Sequence, residues 1–368
     1  MLVRKLCWVS FFFAIGGLIG CTNGESISKA VTAVPSAINT KATTTPTLVA
    51  GEATAVSTTP PPLPSATPVP TITATKVAPT PTMTPTVSPW PELAKMPVAL
   101  SEMPAVVLNG RIFIAGGFGN GPTLESAFMV YDPQSDSWAR LADLPFSLNH
   151  HAMAVVNEQI YVFATEANLP TLRYDAVQDI WVELEPMPES RWAATAVVLD
   201  DAVYIVGGQG RSQSLLRYDP ANDAWAELAP LRRPREHLAA VALDGQIYAI
   251  GGRWDRVTNT VERYDPETNQ WTAVNGMNQP RSGFGAAVQD GKIVVGGGEL
   301  FEPLQTLDSI EIYNPAEREW ILQTSSLPSP LHGFPFIVLE DELYVIGGSG
   351  RAGDVSNRGR LYVLRMHD

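Results

Sequence analysis

Three arginines, Arg191, Arg235 and Arg281, fall at the same position in three successive copies of a sequence repeat. The planar guanidinium group of arginine pairs well with carboxylate, sulfate and phosphate groups. If the fold brings these positions to one surface, the sequence predicts an anion-binding site. The alternative is that arginine belongs to the repeat consensus and that the three side chains bridge repeats or bond loop carbonyls. The sequence leaves both interpretations open.

Other polar residues also recur in the repeat. His150 and His237 lie two residues after the arginine position of their own repeats, and His332 lies near it in the last repeat. The residues that follow the glycine pairs of the repeat add Arg211, Arg253, Trp254, Arg256, Glu299 and Arg351. Trp254 offers a flat surface on which a sugar ring stacks, and Glu299 or His237 is a candidate general acid or base. For each histidine, a loop or core position is the alternative.

Several chemistries lack their sequence signatures. There is no His-Glu-x-x-His pair, no phosphate-binding Walker sequence and no Gly-x-Ser-x-Gly nucleophile turn. The two cysteines, Cys7 and Cys21, both lie near the N-terminus, so residues 90–368 have no thiol chemistry and no disulfide framework. We therefore predict no metal site and no cofactor.

Residues 90–368 contain a repeat of 43 to 49 residues. It is marked by Trp90, Trp138, Trp181, Trp225, Trp271 and Trp320. Glycine pairs begin at Gly116, Gly207, Gly251, Gly297 and Gly347, and a Tyr-Asp or Tyr-Asn pair precedes every one of these tryptophans except Trp90. Each unit reads as four short strands. In the fourth unit, for example, an apolar run ends at the turn Asp244-Gly245, and a buried strand then runs to the glycine pair.

An apolar strand ending in Gly-Gly, followed by Tyr-Asp-Pro and then Trp, resembles the kelch repeat. The resemblance covers 90–368 and implies an all-β fold, a six-bladed kelch-type β-propeller of the kelch and galactose oxidase superfamily. The second unit departs from the pattern, with Ala164-Thr165 in place of the glycine pair. The copper radical activity of galactose oxidase needs a thioether between Cys and Tyr, which a propeller without cysteine cannot form.

The sixth unit lacks a Tyr-Asp pair and a tryptophan, whereas the segment from Trp90 to Ala94 has the outer-strand pattern without the other strands of a blade. We therefore predict that the N-terminal strand around Trp90 completes the C-terminal blade and closes the ring. In kelch propellers, the loop before the first strand of a blade shares a face with the loop after the glycine pair. The resemblance thus implies that Arg191, Arg235 and Arg281 form an arc at one channel mouth.

The sequence of the N-terminus predicts that the protein is located outside the cytoplasm. Arg4 and Lys5 precede a short apolar run, so residues 1–20 read as a signal peptide. Its end, Leu-Ile-Gly-Cys, resembles the lipobox of bacterial lipoproteins, which implies that Cys21 becomes the mature N-terminus and carries a diacylglyceryl group and an amide-linked acyl chain such as palmitate. Residues 21–89 would then be the lipidated Cys21 and a linker with 18 threonines and 12 prolines. This composition predicts disorder.

Charge excludes one class of partner and leaves several functions open. Residues 1–89 have a net charge of +3, so 90–368 have −16, which argues against nucleic-acid binding. We predict a monomeric binding module, lipid-anchored outside the cytoplasm, that recognises a glycan or protein partner through loops at one mouth. The alternative is an enzyme resembling the sialic acid epimerases, in which the three arginines hold a carboxylate. The sequence does not distinguish the binding module from a protein with a structural role in the cell envelope.

Overall fold

The computed structural model of the protein describes residues 90–210, 213–354 and 359–365. Six antiparallel sheets follow one another along this part of the chain, and the first strands of neighbouring sheets contact one another around a central axis. The prediction of an all-β, six-bladed propeller is confirmed. Among the described residues, no helix has the length and apolar character that crossing a bilayer requires. The predicted signal peptide, Cys21 and the Thr/Pro-rich linker lie outside the described residues.

The first three blades have four strands each, which follow one another in chain order from the axis outwards. Blade 1 contains β1 (Ala105–Leu108), β2 (Arg111–Ala115), β3 (Phe128–Asp132) and β4 (Ser137–Arg140). Blade 2 contains β5 (Ala152–Val156), β6 (Gln159–Phe163), β7 (Thr171–Asp175) and β8 (Ile180–Leu184). Blade 3 contains β9 (Thr195–Leu199), β10 (Ala202–Val206), β11 (Leu215–Asp219) and β12 (Ala224–Leu228).

The last three blades repeat this order with two variations. Blade 4 contains β13 (Ala239–Leu243), β14 (Gln246–Ile250), β15 (Val261–Asp265) and β16 (Gln270–Val274). Blade 5 contains β17 (Gly285–Gln289), β18 (Lys292–Gly296), a separate ribbon of β19 (Glu299–Phe301) and β20 (Leu304–Thr306), then β21 (Ser309–Asn314) and β22 (Glu319–Ser326). Blade 6 contains β23 (Phe336–Leu339), β24 (Glu342–Ile346) and β25 (Leu361–Arg365).

Glycine pairs join each of five blades to the next, as blade 4 shows. Gly251 has a φ of +56°, and a Cβ atom there would lie 2.7 Å from the carbonyl oxygen of Arg281 in blade 5. Gly252 donates its N–H to the same carbonyl at 2.9 Å. A side chain at Gly251 would push the two blades apart, which explains the glycine. Blade 2 has Ala164-Thr165 instead, and there Arg191 N–H donates to the Thr165 carbonyl at 2.8 Å.

The hydrophobic core lies between the blades. Each of six buried clusters combines residues of two neighbouring blades. On the outer strands, one tryptophan per blade donates its indole N–H to a carbonyl of the preceding blade at 2.8–3.2 Å. The pairs are Trp138–Ala94, Trp181–Ala142, Trp225–Glu185, Trp271–Ala229, Trp320–Asn275 and Trp90–Ser326. Trp90 therefore holds the same position as the tryptophans of the complete blades.

The segment around Trp90 is the missing outer strand of blade 6. Glu92 pairs antiparallel with Tyr362 of β25. Leu93 N–H donates to the Leu361 carbonyl at 2.9 Å, and Val363 N–H donates to the carbonyl of the residue before Glu92 at 3.3 Å. Trp90 itself is 2% exposed and packs between blades 5 and 6. The predicted closure of the ring by this N-terminal segment is confirmed.

Candidate functional site

The three arginines predicted to face a ligand are inside the blades. Their side chains are 0%, 2% and 0% exposed for Arg191, Arg235 and Arg281. Three leucines, Leu100, Leu148 and Leu331, occupy the same position in the other blades and are also buried. The expected cationic arc at the channel mouth is therefore corrected: this position is interior, and none of the three guanidinium groups is accessible to a ligand.

Each guanidinium group instead supports the glycine pair of its own blade. Its Nη1 donates to the carbonyl of the first glycine and to the carbonyl just before or at the start of the third strand, at 2.7–3.2 Å. Its Nη2 pairs with a carboxylate, which is Glu189, Glu262 or Glu311 respectively. These bonds give buried carbonyl oxygens a hydrogen-bond donor, which stabilises the turn at the glycine pair. The arginines thus bond loop carbonyls, as the packing alternative predicts.

A ring of backbone hydrogen bonds surrounds the axis at one end of the channel. In each blade, the residue two positions after the buried arginine or leucine donates its N–H to the equivalent carbonyl of the preceding blade, at 2.8–3.1 Å. These six residues all have φ between +48° and +63°. They are Glu102, His150, Ala193, His237, Gly283 and Gly333. We call them the axial ring.

Three ionisable side chains of the axial ring converge. The nearest polar atoms of Glu102, His150 and His237 all lie within 4.8 Å of one another. Glu102 Oε2 is 3.4 Å from His150 Nε2, and the two imidazole ring centroids are 4.9 Å apart. The side chains of Glu102, His150 and His237 are 11%, 7% and 4% exposed. The fold thus gathers two imidazoles and a carboxylate in one buried place.

Charged residues around His237 hold its ring in place. The Nδ1 of His237 donates to Glu236 Oε2 at 2.7 Å, and Arg253 Nη2 donates to His237 Nε2 at 3.2 Å. The same arginine pairs with Glu236 Oε1 at 2.7 Å and with Glu299 Oε1 at 2.5 Å. Burial lowers the pKa of Arg253, but Glu236 and Glu299 outweigh that effect and raise it. Glu299, His237 and Arg253, all predicted from sequence, are therefore brought together here.

His332 is held in its protonated form. Its Nε2 donates to the carbonyls of Arg351 and Asp354 at 2.7 and 3.0 Å. Its Nδ1 faces Glu102 at 3.4 Å and Glu299 at 3.5 Å. Burial would lower the pKa of His332, but the two carboxylates outweigh it and raise the pKa to about 9. Burial alone would raise the pKa of Glu102, yet the neighbouring imidazoles hold it below its usual range.

His150 is the neutral counterpart of His332. Asn149 Oδ1 accepts a hydrogen bond from Trp192 Nε1 at 3.1 Å and lies within hydrogen-bond distance of His150 Nδ1, so Nδ1 carries the proton. Burial is the main reason that the pKa of His150 falls to about 3. The ring also packs on Trp192, with centroids 3.9 Å apart. The lone pair of His150 Nε2 therefore points toward Glu102.

The axial ring borders a cavity of about 250 Å³ along the channel. It is lined by Glu102, His150 and His237 and, farther along the channel, by the first residues of the inner strands. His151 also lines it. This side chain is 5% exposed, and neither ring nitrogen has a hydrogen-bond partner within the described residues. Burial lowers the pKa of His151 to about 3, and its ring packs against Gly116 of blade 1.

A second cavity, of about 570 Å³, lies in the loops of blade 4. Its lining includes Trp254, which is 53% exposed, together with Arg233, Arg256 and the intervening Asp255, which are also exposed. The loops that carry these residues also carry Glu236 and Arg253, which pair through a β-bridge. Arg351 is exposed in the loop after the blade 6 glycine pair. We call the cavity around Trp254 the blade 4 groove.

The sequence predicted some residues of the axial ring and of the blade 4 groove and missed others. His150 and His237 occupy the same repeat position, which predicted that they lie on the same face of the propeller. Arg253, Glu299 and Trp254 were predicted because they lie in the loops that follow the glycine pairs. Glu102 and Glu236 were missed. The signal for Glu102 was present, because it occupies in blade 1 the position of His150 and His237. Arg233 was missed as well, since it lies two residues before the conspicuous Arg235.

Comparison with protein-family models identifies kelch repeats in two regions. Residues 184–348 match the KLHDC2/KLHL20/DRC7 Kelch-repeats domain, and residues 99–145 match the Kelch motif. No curated protein matches the sequence. The matched repeats and the six blades together support a kelch-type β-propeller.

The fold is widespread among solved structures, since 1079 chains match it. One of them, described as "Structure of YjhT", is 17% identical, and the match covers 73% of this chain and 96% of that chain with a TM-score of 0.62. At this identity the likeness shows the fold alone. A shared fold does not dictate function, so the function must be argued from the site.

Proposed function

We propose that the protein is a binding module that recognises an acidic glycan through the blade 4 groove. The observation that carries the proposal is Trp254, a large aromatic side chain that is 53% exposed and lines the groove together with two exposed arginines. Exposed aromatic and arginine side chains are the residue types that dominate binding energy at recognition surfaces. A sugar ring stacks on the indole, and an adjoining carboxylate or sulfate pairs with Arg233 or Arg256.

Charge supports an anionic ligand at this place. The body has a net charge of −16, yet the groove combines Arg233 and Arg256 with Asp255. Arg235 also lines it, but its Nη2 pairs with Glu262, so its charge is compensated. The exposed arginines can therefore offer a local attraction to an acidic glycan against a repelling background.

The proposed location of the module is the outside of the cytoplasmic membrane. The lipobox-like Leu-Ile-Gly-Cys sequence supports a lipid anchor on Cys21, and the Thr/Pro-rich composition of residues 22–89 supports a stalk. A binding groove on a tethered propeller suits capture of a ligand at the cell surface. The epimerase-like alternative assigned the carboxylate to Arg191, Arg235 and Arg281, and their burial leaves that assignment without accessible residues.

Replacing Trp254 with alanine is expected to weaken binding to acidic glycans at least tenfold, because the stacking surface is lost. The measurement is an array of neutral, carboxylated and sulfated glycans, probed with the full-length protein at two salt concentrations. The variant with Arg233→Gln and Arg256→Gln together is expected to lose the salt dependence as well as affinity.

Lys292→Gln provides the control, since Lys292 is an exposed cation at the other end of the strands, beside the β17–β18 turn. This variant should bind like wild type. The proposal is contradicted if no acidic glycan is retained, or if a retained glycan binds the Trp254 and double-arginine variants as tightly as wild type.

A further inference from the structure

We propose that the axial ring holds a divalent transition-metal ion of the zinc type, ligated by Glu102, His150 and His237. This inference is independent of the blade 4 groove. The three side chains come from three different blades, and their nearest polar atoms lie within 4.8 Å of one another. Two imidazole nitrogens and one carboxylate oxygen form a donor set that suits Zn²⁺ and similar first-row ions.

The tautomers of the two histidines leave the correct nitrogen for a metal. His237 donates its Nδ1 proton to Glu236 Oε2 at 2.7 Å. His150 directs Nδ1 at Asn149 Oδ1, an oxygen fixed as an acceptor by the Trp192 indole N–H. Metal-binding histidines characteristically donate the other ring proton to a carboxylate or a carbonyl oxygen, which fixes the ring and leaves a lone pair for the ion. Both Nε2 atoms are therefore electron-pair donors.

The contact between His150 and Glu102 would be stabilised by a cation between the two side chains. His150 Nε2 and Glu102 Oε2 are 3.4 Å apart, and with the proton on Nδ1 each presents a lone pair to the other. Two ligand atoms bound to one zinc ion in tetrahedral geometry lie about 3.3 Å apart. The observed separation is thus already the ligand-to-ligand distance of a metal site. The ligand atom of His237 lies within 4.8 Å of the other two, so its ring must move toward them when the ion binds.

The charge balance of the surrounding side chains agrees with a bound cation. Glu102, Glu236 and Glu299 supply three carboxylates, whereas Arg253 is a permanent cation that pairs with two of them. The carboxylates therefore outnumber the arginine in a largely buried place, where uncompensated negative charge is costly. A bound cation offsets this excess of carboxylates, and the same excess disfavours an anion at the axis.

Arg253 competes with the metal ion for the Nε2 atom of His237. Its Nη2 donates to His237 Nε2 at 3.2 Å, and this bond must break when the metal binds. Arg253 keeps its bonds to Glu236 and Glu299 through Nε and Nη1, so it does not have to leave. Three protein ligands would leave a fourth position open toward the channel cavity of about 250 Å³. Such an open position is typical of sites where a metal binds a small ligand or water.

The test is metal binding by the purified full-length protein without a histidine tag. After treatment with EDTA and dialysis against Zn²⁺, we expect one zinc per chain by elemental analysis, and Co²⁺ should give the visible absorption of a four-coordinate site. Glu102→Gln and His237→Gln should each weaken Zn²⁺ binding at least tenfold. His151→Leu, which changes a neutral histidine of the same cavity outside the ligand set, should leave it unchanged.

Two results overturn the proposal. One is wild-type protein that binds no stoichiometric zinc or cobalt, in which case a proton occupies the space between His150 and Glu102. The other is stoichiometric zinc that the Glu102 and His237 variants bind as tightly as wild type. The wild-type measurement decides the matter even if one variant fails to fold, and circular dichroism of each variant identifies that case.

Discussion

Replacing Arg281 with methionine is expected to lower the free energy of unfolding by about 3–5 kcal/mol. Arg281 and Glu311 are both 0% exposed and form an ion pair at 2.7 Å. Arg281 also donates to the carbonyls of Gly297 and Ser309. Methionine retains an unbranched apolar side chain but has no charge and no donors, so the variant leaves a buried carboxylate and two carbonyls without these partners. Chemical denaturation monitored by tryptophan fluorescence measures the loss.

Two further variants identify the cause of that loss. Arg281→Met combined with Glu311→Met should be less destabilised than Arg281→Met alone, because the unpaired buried charge is gone. The recovery is partial, since Glu311 also accepts the N–H groups of Asn278 and Gln279 at 2.6 and 3.1 Å. Arg256→Met, at an exposed arginine, should change stability by less than about 0.5 kcal/mol. If Arg281→Met is as stable as Arg256→Met, the buried structural role is wrong.

The second large effect is expected at the closing segment. Replacing Trp90 with alanine should cost about 3–5 kcal/mol, as is typical of a buried tryptophan in a packed core. Trp90 packs against residues of blades 5 and 6, including Phe336 and Tyr362, and its indole N–H donates to the Ser326 carbonyl at 2.8 Å. Its loss therefore weakens the joint that closes the ring. The measurement is the thermal or urea unfolding transition.

Trp254→Ala is the matched control for this variant. The same change of residue type at a 53% exposed position should leave the unfolding transition nearly unchanged. Equal stability of the two variants would contradict the role of Trp90, because it would mean that its buried side chain adds nothing to the stability of the fold.

The fold was predictable because its main determinants repeat. Trp138, Trp181 and their equivalents each make the same indole-to-carbonyl bond to the preceding blade. The contact between Gly251 and the next blade explains why a glycine pair recurs. A residue type that recurs at a fixed spacing therefore indicates that the same contact is made in successive blades. The unpaired outer-strand pattern at Trp90 was sufficient to predict closure for the same reason.

Whether a repeated position is buried or exposed was harder to predict than the fact that it repeats. Arg191, Arg235 and Arg281 recur as a ligand-binding set would, and arginine is seldom fully buried. Their burial depends on carboxylates that follow no single spacing: Glu262 and Glu311 come from third strands, whereas Glu189 is two residues from Arg191. The leucines at this position in the other three blades were the available sign that it is interior.

The candidate sites were predictable only in part, because each depends on loops from different blades. Sequence placed His150 and His237 at equivalent positions, but it did not show that the axial ring has room to let their side chains meet Glu102. It singled out Trp254, whereas the exposure of Trp254 beside Arg233 became visible only when the two loops of blade 4 were placed together.

The measurement that tests the closed ring most directly is a disulfide across its seam. In a full-length chain with Cys7 and Cys21 changed to serine, Glu92→Cys and Tyr362→Cys introduce the only two thiols. These residues are antiparallel partners flanked by the bonds of Leu93 and Val363. Such pairs have Cα atoms about 4.5 Å apart, within the range of a disulfide.

We expect the folded Glu92→Cys, Tyr362→Cys protein to oxidise to one intramolecular disulfide with no free thiol. The control pair, Glu92→Cys with Val363→Cys, places the second thiol on the opposite side of β25 and should stay reduced under the same conditions. Free thiols at both positions of the folded Glu92–Tyr362 variant would contradict the account, because the segment around Trp90 would then not be the outer strand of blade 6.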